Sequence, residues 1–235
     1  MAIPMWQQIL NRGQQTLAVW QLHAPAFALR NLTLASHTAD VAALAPAGQA
    51  TEDAQEGLDD AREDRDAALG VVAATNTRLP RKLDGELLPD DPFHADLEDI
   101  RRVASVSGPA TLERGQKVVA LWKKLNARNA AASPVIPPVT VGGVTLADFT
   151  AQVESLSAKG QTVQDKEAAL RDLRGDLRTL AASVDQNNKR WFAGWEGEFA
   201  PGSPEREALA QIDTGSGSGG GGQPTPGGGG NPPVG

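Results

Sequence analysis

Asp53, Asp60 and Asp64 are spaced by seven and four residues, and Asp165, Asp172 and Asp176 repeat that spacing 112 positions further on. On a helix those steps set three carboxylates on one stripe. Two such stripes could grip a divalent cation, because hard cations take several oxygen ligands, and Asp60, Asp64, Asp172 and Asp176 are then the candidate metal ligands. The competing reading is a solvated face on which Arg62 and Arg174 offset part of the charge. It is preferred, because the Glu-x-x-His pattern of carboxylate-bridged di-metal bundles is absent. A second candidate is aromatic. Trp191, Trp195 and Phe199 fall at i, i+4 and i+8 on one helix face, where the matching earlier positions are Leu79, Leu83 and Leu87. Packing inside a bundle is the preferred reading, and contact with a partner protein is the alternative for which the three are candidates.

The remaining chemistry-bearing residues point to no reaction. His37 matches Phe149, His94 matches Arg206 and His23 falls beside Leu125, so a His-based metal site present in both halves is excluded. His37 opposite a Phe reads as a partly buried, aromatic-like position. There is no Cys, and hence no disulfide, thiolate nucleophile or Cys-ligated metal. Neither a Gly-rich phosphate loop, a nucleophile motif nor an HExxH helix occurs, so no catalytic residue and no cofactor is assigned.

The elements that must carry these residues come from a repeat. The segment NRGQQTLAVW at 11–20 returns as ERGQKVVALW at 113–122, and residues 32–100 laid on 144–212 without a gap give 23 identical pairs. Unrelated segments of ordinary composition would share roughly 4. The chain reads as a tandem duplication, with repeat 1 at 1–106, repeat 2 at 107–213 and a disordered Gly/Pro-rich tail at 214–235. The Pro-rich linker at 132–143 supplies about ten extra residues of the second copy.

Apolar spacing inside each copy is helical. Leu170, Leu173, Leu177, Leu180, Val184 and Trp191 form one seam of a long helix; Leu58, Ala61, Arg65, Ala68, Val72, Thr75 and Leu79 are its counterpart. A shorter helix is expected before each seam, ended by a left-handed turn at Gly48 or Gly160 that reverses the chain. Thr145 with Asp148 resembles a capping box. Asp91 and Ser203 each precede a Pro and are expected to cap a short closing helix. Gly13 and Gly115 lie inside the opening helices, where glycine costs about 1 kcal/mol, and so imply tight helix crossings. Trp20 and Trp122, two turns on, are expected core anchors. The fold class is all-α: two tandem helical units packed as an antiparallel bundle with pseudo-twofold symmetry and coiled-coil-like seams.

The second copy, with GVTLADFTAQV, then DKEAALRDLRGDLRTLAASVDQNNKRW, then FAPGSPEREALAQI, resembles a group of uncharacterised bacterial helical-bundle proteins. Their repeats close in a similar aromatic-Gly-x-Asp-Ser-Pro-Glu pattern, and the resemblance implies a helical bundle with no known activity. Twenty-two Lys and Arg against 29 Asp and Glu give a net charge of −7, which argues against a nucleic-acid partner. No stretch approaches the roughly 18 apolar residues of a membrane span, and the start lacks a signal-peptide pattern. The expectation is a soluble, cytoplasmic, non-enzymatic interaction or scaffolding protein whose partners are other proteins, further copies of itself included. The alternative is a metal-ion or small-ligand-binding bundle that uses the duplicated aspartates.

Overall fold

The computed structural model describes residues 4–103 and 107–212. The expected tail at 214–235 lies outside the described residues. The described chain is all-α: α1 (Met5–His23), α2 (Leu34–Glu86), α3 (Phe93–Arg102), α4 (Gly108–Ala131), α5 (Leu146–Glu198) and α6 (Pro204–Glu207), with a 3-10 turn at Ala208–Gln211. Among the described residues no helix is long and apolar enough to cross a membrane.

α2 and α5 each run for 53 residues and begin and end 112 positions apart. The short and long helices expected in each copy are therefore one helix, and the turns expected at Gly48 and Gly160 do not occur. Neither glycine adopts a positive φ. The reason is that the buried stripe continues across them. Leu156, Val163, Leu170, Leu177, Val184 and Trp191 are all buried at seven-residue steps, and Leu44, Leu58, Val72 and Leu79 hold the same stripe in α2. Gly48 serves packing instead: a methyl there would lie 2.5 Å from the Trp6 ring. α2 also runs through Pro46 and Pro80, each of which removes one backbone donor.

The chain divides into two compact units, and they are not the two sequence repeats. The described residues of the first unit are 4–48 and 177–212; those of the second are 49–103 and 107–176. Each unit thus takes its opening helix and the start of one long helix from one repeat, and the end of the other long helix and the closing helix from the other repeat. A division at 106/107 separates sequence repeats, whereas the compact units exchange halves across it.

In the first unit, Ile9, Leu17, Val41, Leu44, Leu177, Ala181 and Val184 form one cluster, and Trp20, Leu32, Trp191, Trp195 and Ile212 anchor a second. Gly13 lets α1 approach α2 closely, since a methyl there would sit 2.8 Å from Val41 Cγ2. α2 and α5 are antiparallel here, as His37 meets Asn188 and Asp40 meets Asn187.

The second unit is built by the same local devices. A methyl at Gly115 would lie 3.0 Å from Val153 and 3.2 Å from Val72. Trp122 is fully buried, as is Trp20 in the first unit. The supposed linker is structured: Trp122 Nε1 donates to Val139 O, Asn129 Nδ2 donates to Pro137 O, and Val139 N donates to Asn126 Oδ1. Gly142 and Gly143, with φ of 58° and 84°, make the tight turn that pairs Val141 with Val144, and Val141 enters the core. The capping box forms as expected: Thr145 N donates to Asp148 Oδ2 at 3.0 Å and Asp148 N donates to Thr145 Oγ1 at 3.2 Å. Ser203 caps α6 through the Arg206 N–H, whereas α3 starts one residue later than expected: Pro92 is its N-cap, and Asp91, just ahead of it, accepts from the Phe93 N–H.

Candidate functional site

The acidic stripe lies wholly in the second unit, and its carboxylates do not converge. Among the described residues no group of three or more His, Cys, Asp and Glu side chains is arranged to hold a metal ion. Asp60, Asp64, Asp172 and Asp176 are all exposed. Asp64 Oδ2 is paired with Lys159 Nζ at 3.0 Å, and a shallow cleft holds Asp60 and Asp64 together with Lys159 and Lys166. Two ammonium groups among two carboxylates remove the negative field a divalent ion would need. Arg62 does offset charge, bonding Glu167 at 2.7 Å and Asp59 at 3.4 Å, and Arg174 bonds Gln55 at 2.7 Å. The Glu167 hydrogen bond, foremost, pushes the Arg62 guanidinium further above its usual range. Asp53 and Asp165 each accept from the glutamine one turn before, at 2.7 and 2.8 Å. These are the contacts of a solvated helix face.

The aromatic candidates are placed inside the first unit, as the preferred packing reading has it, and the alternative of a partner contact is corrected for two of them. Trp191 and Trp195 have no exposed surface, and Phe199 is partly buried. Ring centroids are 4.5 Å apart for Trp191 and Trp195, 4.6 Å for Trp195 and Phe199, and 5.3 Å for Trp195 and Phe27. Trp195 Nε1 donates to Glu205 O at 2.7 Å. Gly194 makes room for Leu29, which a methyl would meet at 2.5 Å. An indole stripe that finds α1, the 24–32 loop and the closing turn of its own unit has nothing left for a partner.

Two features carry more than the residues singled out by spacing. In the second unit, Val135 is 71% exposed and Ile136 49% exposed, on a loop held by the Asn126 and Asn129 side chains. Beyond Pro137 in the chain, Pro138, Val139 and Thr140 line an open, mainly apolar cleft with Leu146, Ala147 and Ala151; Lys123 and Glu154 bring one charge of each sign. The sequence signal is an insertion with three prolines and five β-branched residues, a composition that spacing alone reads as a linker. In the first unit, His37 and Asn188 are both fully buried, and His37 Nε2 lies 2.9 Å from Asn188 Oδ1. Asn188 belongs to an identical pair, Asn76/Asn188, set on an apolar stripe, which was a readable sign of a buried polar contact.

Fold and clefts together define an all-α helical protein of two compact units whose polar side chains serve mainly caps, turns and helix faces. No protein-family model, curated protein or solved structure matches the chain.

Proposed function

We propose that this chain is a non-enzymatic interaction or scaffolding protein that binds another protein through the second unit. One observation carries the reading: Val135 and Ile136 are exposed on a loop that the core itself pins, beside an apolar cleft. An apolar surface held in place before binding loses little conformational freedom on association. Exposed apolar side chains held in this way are what a partner's apolar face covers. The partner chemistry that fits is an amphipathic protein segment with an apolar face, flanked by charges that match Lys123 and Glu154. The net charge of −7 disfavours nucleic acid as that partner. The tandem duplication belongs to the same proposal, supported by the 23 identities and by the equal lengths of α2 and α5. So does the kinship with bacterial repeat-containing helical bundles, and the cytoplasm is the compartment proposed with it.

The test is affinity capture with the parent chain and with a Val135→Asp/Ile136→Asp double variant of unchanged melting temperature. A protein retained by the parent and lost from the variant supports the reading. Equal retention by both, or no retained protein, overturns it.

A further inference from the structure

The first unit differs from the second at one buried layer. α1, α2 and α5 meet where Gly13 faces Val41 and Val184. One turn further along each helix, at steps of three or four, come Thr16, His37 and Asn188, all with no exposed surface. Trp20, next on the α1 face after Thr16, has its ring centroid 6.2 Å from that of His37. The matching positions of the second unit are Val118, Phe149 and Asn76, and Asn76 Nδ2 donates to Thr111 O at 3.0 Å. Thus one unit closes this layer with Val and Phe and the other with Thr and His.

The polar layer is satisfied on one side only. Nε2–H of His37 donates to Asn188 Oδ1, which leaves Nδ1 as the unprotonated ring nitrogen. His37 Nδ1, Asn188 Nδ2, Thr16 Oγ1 and Trp191 Nε1 have no hydrogen-bond partner among the described residues. A proton on Nδ1 would create a second ring donor facing no acceptor, on a cation removed from water. That is costly in an interior lined by Trp20 and Trp191.

We propose that the His37–Asn188 pair is an acid-sensitive latch, which holds the first unit closed while the imidazole is neutral and loosens that unit, and not the second, when His37 takes up a proton. Burial, the largest influence, lowers the His37 pKa; the bond to Asn188 and the charge of Asp40 act the other way without reversing it. The charged groups within one turn of the layer are Asp40 on α2, Arg12 on α1, and Asp185, Lys189 and Arg190 on α5, the last donating to Asn187 Oδ1 and to Arg30 O. Asp40 accepts from Asn187, while Arg12 and Lys189 both pair with Asp185. None of them is hydrogen-bonded to the ring. The sign follows from linkage. With the folded pKa depressed, the unfolded or open state binds more protons, so closure is fully favoured above the ordinary value of about 6.5 and weakens as pH falls through the lowered value.

Amide hydrogen exchange of the full chain, followed by mass spectrometry and corrected for intrinsic rates, tests this between about pH 7.5 and about pH 5. Peptides spanning 9–20 and 184–195 should lose protection on acidification by roughly tenfold, and by no more than about thirtyfold at pH 5, while those spanning 118–125 and 72–79 hold theirs. His37→Phe, which copies Phe149, should make the first unit as indifferent to pH as the second. Equal loss in both units, or the same loss in His37→Phe, overturns the proposal. Should that variant fail to fold, NMR titration of the parent imidazole decides: a His37 pKa below the ordinary histidine value supports the latch, and one at or above it overturns it.

Discussion

Glycines 48 and 160 occupy equivalent positions in the two long helices yet meet different surroundings. Space beside Gly48 is filled by the Trp6 indole, whereas a methyl at Gly160 would meet nothing within 4 Å among the described residues. Substitution should therefore have opposite signs at the two sites. Gly48→Ala should destabilise by about 1–3 kcal/mol, since a methyl 2.5 Å from the ring must displace it. Gly160→Ala should stabilise by roughly 0.5–1 kcal/mol, because it restricts the unfolded chain at no steric cost. Urea unfolding of the two variants checks both, and a shift of the same sign in each would contradict the packing of Trp6 on α2. His37 illustrates the same lesson from another side, since its equivalence to Phe149 marks a buried aromatic position while only its neighbours show which nitrogen is left without a partner.

At the scale of elements, α5 starts where its capping box dictates. Thr145 and Asp148 exchange hydrogen bonds, and Thr33 and Ser36 do the same at the start of α2 with a neutral pair. Thr145→Ala should cost about 1 kcal/mol, the usual loss of an N-cap hydroxyl. The Thr145 hydroxyl first, and its N–H second, hold the Asp148 carboxyl below the usual carboxylate range. A depressed carboxyl contributes stability that is present above its unfolded value of about 3.9 and is lost as pH falls through the folded one. Thr145→Ala should accordingly flatten the acid limb of the stability profile, as read by circular dichroism melts from neutral to acid pH. An unchanged acid limb would show that the box does not govern the helix start.

For the whole molecule the consequence of exchanged halves is that neither repeat carries a complete core. In the first unit Gly13 and Val41 of one repeat require Val184 of the other, and in the second Gly115 and Val153 require Val72. Separated fragments 1–106 and 107–213 each leave an apolar stripe of a 53-residue helix uncovered, which favours aggregation or self-pairing over a folded monomer. Mixed together, the two should recover the helicity and melting temperature of the intact chain. Circular dichroism with sedimentation checks this, and a monomeric fragment that melts like the parent would contradict the division into units.

Much of this architecture was readable from spacing alone. The apolar seams, the glycines at helix crossings, the buried Trp20 and Trp122 and the caps at Thr145 and Ser203 are local facts, because the faces of a helix are written at steps of three, four and seven residues. What spacing could not reveal is which surface each face meets. Gly48 is as compatible with a chain reversal as with a continuous helix, and only the arrival of Trp6 beside it, with Leu44 and Leu58 buried on either side, decides for the helix. For Trp191 and Trp195 spacing favours packing inside a bundle but leaves a partner contact open, and only the 24–32 loop and the closing turn that cover them close that alternative. The same is true of the repeats: sequence identity records that two segments are alike, but the pairing of α1 with the end of α5 is a long-range choice. The sequence by itself determined the helices and their buried faces, because both depend on neighbours within a turn or two. Only the tertiary structure decided which halves share a core, because that depends on contacts between residues more than a hundred positions apart, about which local periodicity carries no information.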